Sequence, residues 1–141
     1  MQIESYNFPD DLYYDNNHFW AKKDTTGNVV FGATDFFQKL SGEIVFIELP
    51  AKGAKVQQGQ SFSSLESGKW VGKIFAPVSG EIVEVNGELD DSPELINQSC
   101  YNEGWIGKIK PSGLDSELAN LMKTGPDFEN FIKSEIQKHK K

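Results

Sequence analysis

Short apolar runs separated by polar turns bearing glycine or proline fill the chain as far as Pro111, after which apolar residues fall at helical spacing. Residues 1–17, rich in Asp, Asn and Tyr and carrying Pro9, read as an irregular lead-in. His18-Phe19-Trp20-Ala21 opens a first strand, and Val29-Val30-Phe31-Gly32-Ala33 forms a second across the polar turn 22–27. Thr34 or Asp35 is suited to cap a helical turn over 36–40 that Ser41-Gly42 ends. Residues 43–49 form a strand closed by Pro50, and Gly53 and Gly59 mark further turns. The pattern then gives strands over 81–85 and 105–109, the second ended by Pro111. The polar loop 86–104 between them holds one helical turn at Pro93-Glu94-Leu95-Ile96.

Beyond Pro111 the period changes. Leu114, Leu118, Leu121 and Met122 predict one helix, with Gly125-Pro126 as its stop. Asp127 is placed to cap a second helix with Phe128, Phe131, Ile132 and Ile136 on its apolar face. Its last turn, Lys138-His139-Lys140-Lys141, complements the helix dipole. The chain thus divides into a lead-in (1–17), a mainly β domain (18–111) and C-terminal helices packed on the β core (112–141).

The centre of the pattern is a hairpin. The run ending at Leu65 stops at Glu66-Ser67-Gly68-Lys69, and an apolar run resumes at Trp70. A positive φ at Gly68 gives the tight reversal and leaves Lys69 projecting into solvent. A lone lysine there is either simply solvated or the attachment point of an acyl arm. On either side of the hairpin Ser41-Gly42-Glu43-Ile44-Val45 recurs as Ser79-Gly80-Glu81-Ile82-Val83. Two similar β units around a central hairpin predict a sandwich or flattened barrel with approximate two-fold symmetry.

Composition narrows the function. A 38% hydrophobic and 12% aromatic content fits a folded chain, and a net charge of −7 disfavours nucleic acid and anionic membranes as partners. The N-terminus lacks the layout of a signal peptide, and the apolar run 44–47 is too short to span a membrane. One cysteine, Cys100, excludes an internal disulfide and suits a reducing cytoplasm. The only histidines, His18 and His139, do not complete a nucleophilic triad, and no Cys/His spacing suits a metal. There is no phosphate-cradling loop, and Cys100 in its polar loop reads as inert. These residues describe a protein that is not an autonomous enzyme.

Several segments, in order, resemble the glycine cleavage system H protein family of lipoyl carriers. They are Gly32-Ala33-Thr34-Asp35, Gly42-Glu43-Ile44-Val45-Phe46-Ile47-Glu48-Leu49-Pro50, Glu66-Ser67-Gly68-Lys69, Ala76-Pro77-Val78-Ser79-Gly80-Glu81 and Asn102-Glu103-Gly104-Trp105. The resemblance implies a hybrid barrel-sandwich of the lipoyl-domain type. It implies that Lys69 carries lipoate by an amide bond, with Glu66, Ser67 and Gly68 completing the hairpin motif. Biotin carriers share the architecture, but their lysine usually lies between methionines, which Gly68 and Trp70 do not match. The implied partners are lipoate ligase or lipoyl-assembly enzymes, glycine decarboxylase, aminomethyltransferase and dihydrolipoamide dehydrogenase.

Departures from the family pattern bear on the cargo. In the family a loaded aminomethyl arm resembles a docked cation beside a glutamate, a histidine and an aspartate; the matching positions here are Phe19, Phe36 and Lys73. The residue after the lysine, usually small, is Trp70. An arm surrounded by Phe19, Phe36, Trp70 and Lys73 suits a protonated amine poorly. That tilts the expectation toward the H-like lipoate-binding proteins of heterodisulfide-reductase-like sulfur oxidation, with a glycine-cleavage carrier as the alternative.

Overall fold

The computed structural model describes residues 1–139; of the basic last turn expected over 138–141, Lys140 and Lys141 lie outside them. In order, the elements are β1 (Gln2–Ile3), β2 (Tyr6–Asn7), β3 (Tyr13–Tyr14), β4 (Phe19–Lys23), β5 (Val29–Ala33), α1 (Asp35–Ser41), β6 (Ile44–Ile47) and β7 (Lys55–Val56). They continue with β8 (Ser61–Ser67), β9 (Val71–Phe75), β10 (Gly80–Val85), α2 (Glu88–Asp91), α3 (Leu95–Gln98), β11 (Gly107–Pro111), α4 (Leu114–Leu118) and α5 (Pro126–Lys138).

A six-stranded antiparallel sheet in the order β3-β4-β5-β11-β10-β7 faces a three-stranded sheet β6-β8-β9. The fold is mainly β, with short helices and a longer C-terminal one, as the alternation of the sequence predicts. The two Ser-Gly-Glu-Ile-Val copies open strands in different sheets, β6 and β10, and Ile44 and Ile82 are both buried. Between the sheets Phe19, Phe31, Phe37, Ile44, Leu65, Ile74, Ile82 and Ile109 form the main core.

The lead-in is more regular than its composition implies. β1 and β2 form a small hairpin, and β3 extends the large sheet through β4. The cause is a second core: Ile3, Phe8, Leu12 and Tyr14 are buried with Trp20, Phe36, Phe128, Ile132 and Ile136. Phe128 stacks on Tyr14 at 4.7 Å and meets Phe8 edge-on at 5.0 Å. The C-terminal helix therefore closes over the N-terminal segment. Pro126 begins α5 instead of stopping a helix, since its fixed φ and missing N–H are harmless at a first helical position, and Gly125 precedes it where Asp127 was expected to cap. The loop 86–104 contains two short helices, not one. Among the described residues no helix is long and apolar enough to cross a membrane.

Candidate functional site

β8 and β9 pair from Ser61↔Phe75 to Glu66↔Val71, and the chain reverses at Gly68-Lys69. Gly68 does not take the expected positive φ, and a Cβ there would meet nothing within 4 Å. Hydrogen bonds hold the reversal instead. The Ser67 N–H donates to the Trp70 carbonyl at 2.8 Å, and the Lys69 N–H donates to Ser67 Oγ at 3.4 Å. Ser67 is buried and registers with Ile44 of β6, so the tip is tied to the sheet behind it.

Lys69 is exposed, and no ion pair is recorded for it among the described residues. The glycine that matters to it is Gly42, which ends α1 with φ 81°. A Cβ on Gly42 would sit 3.2 Å from Lys69 Cε and 3.8 Å from Nζ, so the lysine stem lies over a bare stretch of backbone. Asn97 of α3 fixes that stretch. Its Nδ2 donates to the Gly42 carbonyl at 2.9 Å, and its Oδ1 accepts the Ile44 N–H at 2.8 Å. Ser41, Gly42, Glu43, Val45 and the hairpin residues 67–69 line a shallow depression of about 320 Å3.

Trp70 turns away from the tip. Its indole lies over Gly72, where a Cβ would come within 1.9 Å, and meets Phe37 edge-on at 5.5 Å. Trp70 and Lys73 border a cleft of about 250 Å3, with His18, Phe37, Glu135 and His139 on its other walls. Two of the residues expected around the arm are elsewhere. Phe19 is wholly buried against Phe37 in the main core, and Phe36 is buried in the second core against Tyr6 and His18. Phe36 and Phe37 are consecutive on α1, so one faces each core.

The cleft also holds a pair that sequence reading missed. His18 Nε2 lies 2.8 Å from Glu135 Oε1, and Glu135 Oε2 pairs with Lys138 at 3.0 Å. Burial holds the His18 imidazole below its ordinary pKa, although Glu135 pulls the other way. Burial pushes Glu135 up, but hydrogen bonds from Lys138 and His18 outweigh it and hold the carboxyl below its ordinary range. An ionised carboxylate only accepts, so Nε2 carries the proton. His18 has φ 72°, a left-handed conformation that strains a residue with a Cβ. Asp15 stabilises that turn: its Oδ1 accepts the N–H groups of Asn17 at 2.9 Å and Phe19 at 2.8 Å. Asp15 Oδ2 is buried without a partner, and burial pushes the carboxyl up to about 7. The pairing joins residues 117 positions apart, which no local pattern reveals.

Cys100 is buried, its thiol pushed up to about 12 by burial, and its carbonyl accepts the Trp20 indole N–H at 2.9 Å. No cluster of three or more His, Cys, Asp or Glu able to hold a metal occurs among the described residues.

An antiparallel barrel-sandwich that raises one lysine on a stiff hairpin has the architecture of a carrier domain. A sequence profile described as "Glycine cleavage H-protein" matches residues 12–135. The chain belongs to the glycine cleavage H-protein family, whose members are lipoyl carriers and not catalysts. It is 46% identical over 133 residues to a "Probable glycine cleavage system H protein" of Thermococcus gammatolerans, covering 94% of this chain and 96% of that one. It is 41% identical to a "Glycine cleavage system H protein 2" of Aquifex aeolicus, covering 97% of this chain and 87% of the relative. A crystal structure of a glycine cleavage system H protein from Mycobacterium marinum superposes with a TM-score of 0.77 at 30% identity, covering 91% of this chain and 98% of that one.

Proposed function

We propose that Lys69 carries a lipoyl group by an amide bond, and that the loaded arm shuttles an aminomethyl group between glycine decarboxylase and aminomethyltransferase. Dihydrolipoamide dehydrogenase would reoxidise the arm, and a lipoate ligase or lipoyl-assembly enzyme would install it. The observation carrying the reading is the exposed Lys69 stem over bare Gly42 at the tip of a braced hairpin. When attached, the lipoyl group supplies a dithiolane on a long tether, held at high effective concentration near each docked enzyme.

The chain's own residues supply the rest. Ser67 and Asn97 fix the geometry that an installing enzyme meets. Glu135, an ionised carboxylate on the wall of the Trp70 cleft, is the negative charge there that a protonated amine would share with Lys138 and His18. The expectation of a sulfur-oxidation carrier drew on Phe19 and Phe36 as arm-facing groups, and both lie in cores. Lys73 does border the cleft, and Glu135 lies on its wall as well. With relatives named as glycine cleavage proteins, the aminomethyl reading is the better supported.

Intact mass of protein from a lipoate-competent host tests the attachment: one lipoyl adduct is expected, lost in Lys69→Arg. Incubation with glycine decarboxylase and glycine tests the cargo. Lipoate-dependent decarboxylation is expected, and its absence with a competent enzyme overturns the aminomethyl assignment. Glu135→Gln is expected to lower the rate about tenfold, equivalent to about 1.4 kcal/mol.

A further inference from the structure

The outer face of the β6-β8-β9 sheet is unusual for a surface beside a hairpin tip. Val45, Phe46 and Val71 are 57%, 52% and 68% exposed. Phe46 and Val71 both register with Glu66 on the strand between them, so the exposed Glu66 separates the Val45-Phe46 pair from Val71 on one row across the sheet. A regular strand would have turned one of Val45 and Phe46 inward. A register shift between Ile44 and Phe46 sends both out while keeping Ile44 and Ile47 in the core. Trp70, by contrast, is folded back over Gly72. The result is a face with three exposed apolar side chains flanking one carboxylate, its Val71 two residues from Lys69. Glu66 within this row and Glu43 and Glu48 beside it are exposed, and none forms an ion pair recorded among the described residues.

We infer that Val45, Phe46 and Val71, with Glu66 between them, form the docking face for the enzyme that acylates Lys69, an enzyme presenting apolar contacts interleaved with Lys and Arg. The inference rests on Lys69 as the attachment site. Position selects this occupant. An enzyme that works on the far end of a long arm can sit well away from Nζ, whereas one that bonds to Nζ must cover the residues flanking it. In that step the neutral amine attacks the activated lipoyl carbonyl. The C–N bond forms, the acyl carbon's bond to its activating group breaks, and one amine proton leaves to a base or to water. The three carboxylates steer the basic groups of that enzyme into register.

The test uses the unlipoylated full chain with a lipoate ligase, lipoate and ATP. Phe46→Ser with Val71→Ser is expected to lower kcat/KM for lipoylation at least tenfold, chiefly through KM. Acylation of Lys69 by a small N-hydroxysuccinimide ester should stay at the wild-type rate. A second variant, Glu43→Lys with Glu48→Lys, leaves the three apolar side chains intact and is expected to slow lipoylation and flatten its salt dependence. If circular dichroism shows the serine variant unfolded, the lysine variant decides alone. Lipoylation of the folded variants at the wild-type rate overturns the docking face while leaving Lys69 as the attachment site. Failure of the wild-type chain to be modified at Lys69 overturns both.

Discussion

Gly42 and Asp15 shape the surroundings of Lys69 and of His18 through the backbone. At Gly42 an alanine must adopt φ 81° and crowd the Lys69 stem, so Gly42→Ala is expected to cost about 1 kcal/mol or more. Urea unfolding measures that loss, and a parallel fall in lipoylation rate reports the displaced lysine. Gly68→Ala is the internal comparison: its Cβ meets open space, so stability should change by less than about 0.5 kcal/mol. Asp15 has a different signature. Its folded pKa is raised from 3.8 to about 7 by burial, so between those values the folded chain holds a proton that the unfolded chain has released. Stability from this group therefore falls as pH rises through that window, the reverse of a paired aspartate. His18, held low by burial, acts oppositely, with stability lost as pH falls below its ordinary value of 6.5. Relative to wild type, Asp15→Asn should gain stability as pH rises from about 4 to 7, by up to a few kcal/mol. Unfolding curves that keep a constant separation across that range would refute it.

The hairpin β8–β9 depends on a close approach that only glycine permits. Gly72→Ala would drive a methyl into the Trp70 ring, expelling the indole from Phe37 at a cost of about 1–3 kcal/mol. A red shift of tryptophan emission together with a lower urea midpoint is the expected result; unchanged emission would argue against this packing. Most strands were legible from alternation and turn residues, because one buried face imposes a period of two. The flanking geometry was not. His18-Phe19-Trp20-Ala21 is apolar throughout, and Phe19, Trp20 and Ala21 are all buried, so the run gives no sign of which core each faces. Phe36 matches a cargo-facing histidine position of the family pattern, yet it faces the second core and its neighbour Phe37 lines the cleft. The two contacts Lys69 over Gly42 and His18 with Glu135 join distant segments and leave no local pattern.

Across the whole molecule the two ends of the chain share one aromatic core, with Phe128 between Phe8 and Tyr14. Phe128→Ala is expected to cost about 3–5 kcal/mol, measured by urea or thermal unfolding, and to loosen the N-terminal hairpin with the helix. Because Glu135 rides on that helix and His18 lies just beyond the N-terminal segment, packing far from the hairpin keeps a carboxylate at the cleft. The helix is thus a wall of the site as well as a cover for the core. The buried Cys100 completes the picture at this scale. It is the chain's one cysteine, and its thiol stays protonated and enclosed at neutral pH. Thiol–disulfide exchange proceeds through a thiolate with access to the disulfide sulfur. On the proposed reading, a swinging dithiolane would find no such thiolate on its own protein, so the carrier would be redox-silent toward its cargo and every exchange would be left to the enzymes it visits.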